Sequence, residues 1–176
     1  MANLTREPVK VAAMAVAVGG LATILGAFYF QYALGMQPCP LCLDQRVAYY
    51  VSIPLAVLVA LGASVGASRK VLIAALVAIT GFMVFNAGLG VYHAGIEWKF
   101  WAGPADCSGP LNSLGSTGGL IRQLQDIRVV RCDEAAWRFL GLSLAGYNVL
   151  ISLALAGIAL WGARAAYGSS SLSQYR

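Results

Sequence analysis

Two cysteines three positions apart, Cys39 and Cys42, lie between the first and second long apolar stretches of this chain. A second pair, Cys107 and Cys132, lies in the polar stretch between the third and fourth. Cysteines at the closer spacing can form a small disulfide loop, and a thiolate exchanges disulfides by attacking sulfur. Cys42 falls where the second apolar helix begins. Unpaired backbone N–H groups and the positive end of the helix dipole stabilise a thiolate there. Arg46 follows four residues later on the same helical face. Its charge favours a Cys42 thiolate or holds a polarised oxygen of a bound cofactor beside it. These residue types point to thiol–disulfide chemistry next to an electron acceptor.

The bland alternative for the Cys-x-x-Cys pair is a metal knuckle or an inert buried pair. Metal sites usually bring two such pairs, or added histidines at close spacing. Here the other cysteines are far apart in sequence and His93 is the single histidine, so redox chemistry is the expectation and no metal ligand is assigned. Cys107 sits among Pro104, Asp106, Ser108 and Gly109. Cys132 precedes Asp133, which reads as an N-cap for the segment leading into the last helix. On their own these two cysteines fit a structural disulfide stapling a loop that has no core. Three pairings of the four cysteines are open, with 39–42 and 107–132 favoured. His93 falls at the outer end of the third helix, where a lone histidine is more often a dipole or interface residue; facing the dithiol and Arg46, it becomes a candidate hydrogen-bond donor to a quinone carbonyl. Asn86 and Asn148 read as interhelical glue.

The elements that must position these residues are membrane spans. Of 176 residues, 59% are hydrophobic and 11% charged, and the mean hydropathy is +0.72. No Asp, Glu, Lys or Arg occurs in 11–43, 47–68, 71–96 or 139–163. Each run exceeds the about 20 residues a helix needs to cross about 30 Å of hydrocarbon. The alternating segments of a membrane barrel are absent. The fold class is therefore an all-α membrane protein, a bundle of four transmembrane helices with two outward loops, in one domain. The spans are expected at about 11–32, 44–65, 71–93 and 139–162, with loops over about 33–43 and 97–138 and a tail over 163–176. The first span is read as retained rather than cleaved, because it is longer than a signal-peptide core and no A-x-A-like site ends it.

Charge sets the orientation. Arg6, Lys10, Arg69, Lys70, Arg164 and Arg176 face one side, opposed only by Glu7. The other side is balanced, so the whole net charge of +5 lies on one face. The positive-inside rule puts both termini in the cytoplasm and both cysteine loops outside. The basic balance is thus a topology signal and not a nucleic-acid footprint. Trp98, Trp101 and Trp137 mark the outer boundary and Trp161 the inner one. Within the second loop, Leu120, Ile121, Leu124 and Ile127 recur at helical spacing opposite Arg122, Gln123, Gln125 and Asp126. That pattern predicts a short amphipathic helix at the outer interface.

Four segments together resemble the disulfide-bond formation protein B (DsbB) family. They are Cys-Pro-Leu-Cys-Leu-Asp-Gln-Arg at 39–46, His-Ala-Gly-Ile-Glu-Trp at 93–98, Gly-Pro-Ala-Asp-Cys at 103–107 and Arg-Cys-Asp-Glu at 131–134. The resemblance implies a multi-pass protein of the bacterial inner membrane with periplasmic cysteine loops and bound ubiquinone or menaquinone. It implies a periplasmic thioredoxin-like thiol oxidase (DsbA-type) as partner, besides the membrane quinone pool and the bilayer itself. It further implies that the partner's thiolate attacks Cys107, that Cys132 then attacks Cys39, and that Cys42 passes electrons to quinone. Arg46 and His93 match positions at the quinone ring. A DsbA-type partner is already a strong oxidant, at about −120 mV, so only a far more positive acceptor can draw electrons from it. Two other readings are a vitamin K epoxide reductase-like enzyme and a metal-binding or structural membrane protein with a loop disulfide.

Overall fold

In hydrocarbon a backbone must pair every N–H and C=O within its own segment, and long charge-free runs meet that demand as helices. The computed structural model describes residues 2–104 and 132–168, with side chains from Arg6 onward. Cys107 and the amphipathic segment around 120–127 lie outside the described residues. Four long helices are present: α1 (Ala2–Phe28), α2 (Pro40–Val65), α3 (Arg69–Glu97) and α4 (Leu144–Gly168). All four are long and apolar enough to cross a membrane. Among the described residues the only strands are β1 (Arg138–Phe139) and β2 (Leu142–Ser143), an antiparallel pair.

Helices α3 and α4 share the most extensive interface, and α1 packs against both α2 and α4. Leu76, Ile79, Met83, Ala56, Ala13 and Ala159 are fully buried along the bundle axis. Gly90 lets α3 and α4 approach closely: an added Cβ would meet Val149 Cγ2 at 2.7 Å and the Ala145 carbonyl at 3.3 Å. The outward faces carry Val18, Leu58, Val71 and Phe85, all widely exposed. In water such a surface would aggregate; in lipid it is the ordinary condition. At the inner end, Arg6 donates to the Gly66 carbonyl (3.3 Å) and Arg69 to the Tyr167 carbonyl (2.9 Å), so basic residues cover helix C-termini.

Several boundaries differ from the sequence expectation, each for a physical reason. α1 begins at Ala2 rather than near residue 11, because absence of charge marks the hydrocarbon stretch and not the helix, which continues through Arg6 and Lys10. Its outer end widens into a π-helical turn, Tyr29–Ala33. α2 begins at Pro40 rather than residue 44. Proline suits the first helical position, and the preceding Cys39 caps the helix by accepting the Cys42 N–H on its sulfur, at 3.3 Å. α4 begins at Leu144 rather than residue 139, after the β1–β2 hairpin. Leu140 (φ 48°) and Gly141 (φ 82°) both take the positive φ of a tight two-residue turn. Ser143 accepts the Gly146 N–H at 3.2 Å at the start of α4. Asp133, expected as a cap, instead pairs with Lys99 at 2.7 Å.

Several buried polar residues of the bundle bond to one another across helices. Asn86 Nδ2 donates to Ser152 Oγ (3.0 Å), and Tyr49 Oη donates to Asn148 Oδ1 (2.7 Å). Interhelical bonds of this kind contribute up to about 1.7 kcal/mol. Asn86→Ala is therefore expected to lower the unfolding free energy in detergent by roughly 1–2 kcal/mol. An unchanged thermal midpoint would show that the α3–α4 interface does not use this bond.

Candidate redox site

The start of α2 and the end of α3 lie side by side at one end of the bundle, because the short 66–68 turn makes the two helices antiparallel. That register places His93 beside Cys39 although they are 54 residues apart in sequence. Cys39 and Cys42 are separate thiols with their Sγ atoms 2.7 Å apart. Cys39 Sγ is 3.6 Å from His93 Nε2 and also accepts the Cys42 N–H. Cys39 is almost fully buried, whereas Cys42 is half-buried.

A string of carboxamides fixes the histidine. Tyr49 donates to Asn148 Oδ1 (2.7 Å), and Asn148 Nδ2 donates to Gln45 Oε1 (2.7 Å). Gln45 thus presents its own N–H to His93 Nδ1 at 3.0 Å. With Nδ1 accepting, the imidazole proton sits on Nε2, toward Cys39 Sγ and 3.9 Å from Glu97 Oε1. Cys39, the cap residue ahead of the span, has its thiol pushed up to about 12, by its hydrogen bond to Cys42 and by burial, while His93 pulls it partly back. Cys39 therefore keeps its proton through the neutral range and donates it toward the Cys42 sulfur.

The two sulfurs face different neighbours. Cys39 belongs to a buried cluster with Leu41, Ile96 and Cys132, and Cys42 packs against its edge. Cys42, but not Cys39, lines a cavity of about 610 Å³ walled by α1, α2, α4 and the segment around Trp137. Gln31, Gln45, Arg46, Tyr49, His93 and Asn148 are among its polar groups, set in a mostly apolar lining. Arg46 does not partner Cys42. It donates to Gln31 Oε1 (2.7 Å) in the π-helical turn and lies 5.5 Å from the centre of the Phe28 ring. Both Arg46 and Cys42 still border the same cavity. Trp137 separates from the other outer tryptophans: it packs with Phe30, Phe139 and Tyr147 at the cavity, while Trp98 and Trp101 cluster around Phe100.

Cys39, Cys42, Cys132, Arg46 and His93 are thus gathered at one end of the bundle, while Cys107 lies outside the described residues. The sequence reading passed over Gln45, Tyr49, Gln31 and Glu97, and it treated Asn148 as glue. Gln45 carried one signal that was available: a polar residue on the helical face shared by Cys42 and Tyr49.

A four-helix membrane bundle holding a dithiol at a helix N-terminus defines a membrane thiol-redox protein. The chain matches the family described as Disulfide bond formation protein DsbB over residues 9–162, and it belongs to that family. It is 32% identical to Disulfide bond formation protein B of Xanthomonas axonopodis pv. citri (strain 306) over 149 residues, covering 80% of each chain. It is 31% identical over 152 residues to the protein of that name from Polaromonas sp. (strain JS666 / ATCC BAA-500), covering 82% of this chain and 86% of that one. The corresponding protein of Xylella fastidiosa (strain Temecula1 / ATCC 700964) is 27% identical over 136 residues, covering 75% of this chain and 78% of that one. No solved structure matches. Membership makes the chain a multi-pass membrane oxidoreductase of disulfide-bond formation.

The geometry makes a direct chemical prediction. In the fully reduced protein, iodoacetamide at pH 8 is expected to modify Cys42 well before Cys39. The rate at Cys39 should keep rising beyond pH 10, because its thiolate is populated only near the raised value of about 12. The sign is that of a raised acid: the stability contributed by the Cys39 thiol is complete below the ordinary value of 9.0 and is lost as pH climbs through about 12. Equal rates at the two cysteines, followed by peptide mass mapping, would contradict the arrangement.

Proposed function

We propose that the chain is a protein-dithiol:quinone oxidoreductase of the bacterial inner membrane. It reoxidises a periplasmic thioredoxin-like oxidase of DsbA type and delivers the electrons to membrane quinone, ubiquinone or menaquinone. Both termini are cytoplasmic and the cysteine loops periplasmic, as the one-sided basic charge supports. One observation carries the reading: Cys39 shares a buried cluster with Cys132, and Cys42, at the edge of that cluster, is the one of the two first-loop sulfurs that borders the cavity.

Electron entry is by thiol–disulfide exchange. A thiolate of the partner attacks Cys107 in the 107–132 disulfide, forming a mixed disulfide and releasing Cys132 as a thiolate. Cys132 attacks Cys39 of the 39–42 disulfide; a Cys39–Cys132 bond forms and Cys42 leaves with the electron pair. The partner's second thiolate closes its own disulfide and frees Cys107, which attacks Cys132 and restores the 107–132 bond. The Cys39–Cys42 dithiol that remains holds the two electrons taken from the partner.

The cavity suits a quinone head group by its donor set: a guanidinium and an imidazole for two carbonyl oxygens, a sulfur at the wall, and an apolar lining. When bound, a quinone supplies a lipid-soluble acceptor for two electrons and two protons. Arg46 and His93 would hold its oxygens, with Arg46 exchanging its bond to Gln31 and His93 exchanging its Nε2 contact with Cys39. Trp137, Phe30 and Ile151 keep water from the Cys42 side.

Cys42→Ser is expected to reduce quinone turnover to the uncatalysed level while Cys107 still captures the partner as a mixed disulfide. Quinone absorbance and non-reducing gels follow the two reactions separately. Turnover at the wild-type rate in Cys42→Ser would overturn the assigned path.

A further inference from the structure

Glu97 ends α3 with a carboxylate whose side chain is only 6% exposed, yet its Oε2 has no hydrogen-bond partner among the described residues. Its Oε1 is 3.9 Å from His93 Nε2. An ionised carboxylate so deeply buried is costly unless something positive satisfies it. Lys99 and Arg46 are engaged with Asp133 and Gln31. Beside the carboxylate, the Cys39 and Cys42 sulfurs and a His93 ring nitrogen all lie within 4.8 Å of one another. Glu97 stands outside that group but within reach of His93, and once drawn in it would complete, with two thiolates and an imidazole, a four-ligand set of the kind that zinc-class ions accept.

We propose that the reduced protein binds one thiophilic divalent cation of the zinc class through Cys39, Cys42, His93 and Glu97, and that this cation arrests it in the reduced state. Binding is coordination without redox change: each thiol gives its proton to water and the cation remains divalent. Both sulfur lone pairs are then engaged by the metal, so neither sulfur can attack a disulfide or donate to an acceptor. Oxidation to the 39–42 disulfide removes two of the four ligands, so the site exists only in the reduced form. Thiophilic cations would thereby act as state-specific inhibitors of this enzyme.

The scaffold needs two local adjustments. Metal–sulfur bonds of about 2.3 Å in tetrahedral geometry set the sulfurs about 3.8 Å apart, which rotation of the half-buried Cys42 toward the cavity provides. Coordination through His93 Nε2 moves the imidazole proton to Nδ1. Gln45 meets it there by turning its carboxamide over and presenting Oε1, the outer-shell acceptor that metal-bound histidines usually have. Asn148 turns over with it, accepting from Gln45 and donating to Tyr49 Oη, which then donates to Ser152 Oγ. The proposal requires only a reduced dithiol, so it is independent of the quinone assignment.

The test uses full-length, detergent-solubilised protein with Cys107→Ser and Cys132→Ser, reduced and then freed of reductant. Titration with Cd²⁺ should give sulfur-to-cadmium charge-transfer absorbance that saturates at one ion per chain and protects both thiols from alkylation. The same protein oxidised to the 39–42 disulfide should show none. X-ray absorption of the Zn²⁺ form should show two sulfurs at about 2.3 Å and two lighter ligands at about 2.0–2.1 Å. Glu97→Gln should weaken binding on the order of 10-fold or more, with two thiols still titratable. No stoichiometric uptake, or unchanged affinity in Glu97→Gln, would overturn the proposal and leave an adventitious dithiol chelate only. If Glu97→Gln does not fold, the X-ray absorption of the unsubstituted site decides: a shell of sulfur alone, or of light atoms alone, refutes it.

Discussion

A polar side chain inside a bilayer must find its partner within the protein, and the redox end of this bundle is organised by that constraint. Tyr49, Asn148, Gln45 and His93 satisfy one another in sequence, each bond fixing the direction of the next. The string joins α4 to α2 and α2 to α3, so the same contacts that hold three helices together also set the tautomer of the only histidine. Its proton then points at the Cys39 sulfur. Little else is needed to make the two cysteines unequal. One lies under a histidine within a buried cluster; the other lies at a cavity wall.

That inequality gives a symmetric-looking motif a direction. Cys39 serves twice, as the cap of α2 and as a member of the buried cluster that holds Cys132. Pro40 starts the helix immediately after it, which puts Cys42 in the first turn, where it reaches both Cys39 and the cavity. The π-helical turn at Tyr29–Ala33 performs the matching task on α1, bringing Gln31 to Arg46 and Phe30 to the cavity wall. Local irregularities in otherwise plain apolar helices are therefore concentrated where chemistry is expected.

The architecture was legible because hydrocarbon thickness and charge-free run length are directly comparable quantities. The sulfur and histidine positions were legible because cysteine, histidine and arginine are rare in such runs. Helix ends were less so, since charge marks where lipid stops and a helix can continue past it, as α1 does through Arg6 and Lys10. The hairpin at 138–143 was hidden in an apolar run whose turn needs positive φ at Leu140, a residue that gives no such signal. Gln45, Tyr49 and Asn148 were unreadable as a group because their partnership depends on how three helices rotate against each other. Glu97 stands in sequence at the start of the loop expected over about 97–138, and only the packing shows it turned inward against His93.

The central claim is that Cys132 communicates with Cys39 and not with Cys42. It can be measured by mild oxidation of two otherwise identical reduced proteins, each carrying Cys107→Ser, one with Cys42→Ser and one with Cys39→Ser. Rapid acid quenching and mass mapping would time disulfide formation in each. The account predicts that the 39–132 bond forms much faster than the 42–132 bond. Faster formation of the 42–132 bond would contradict it.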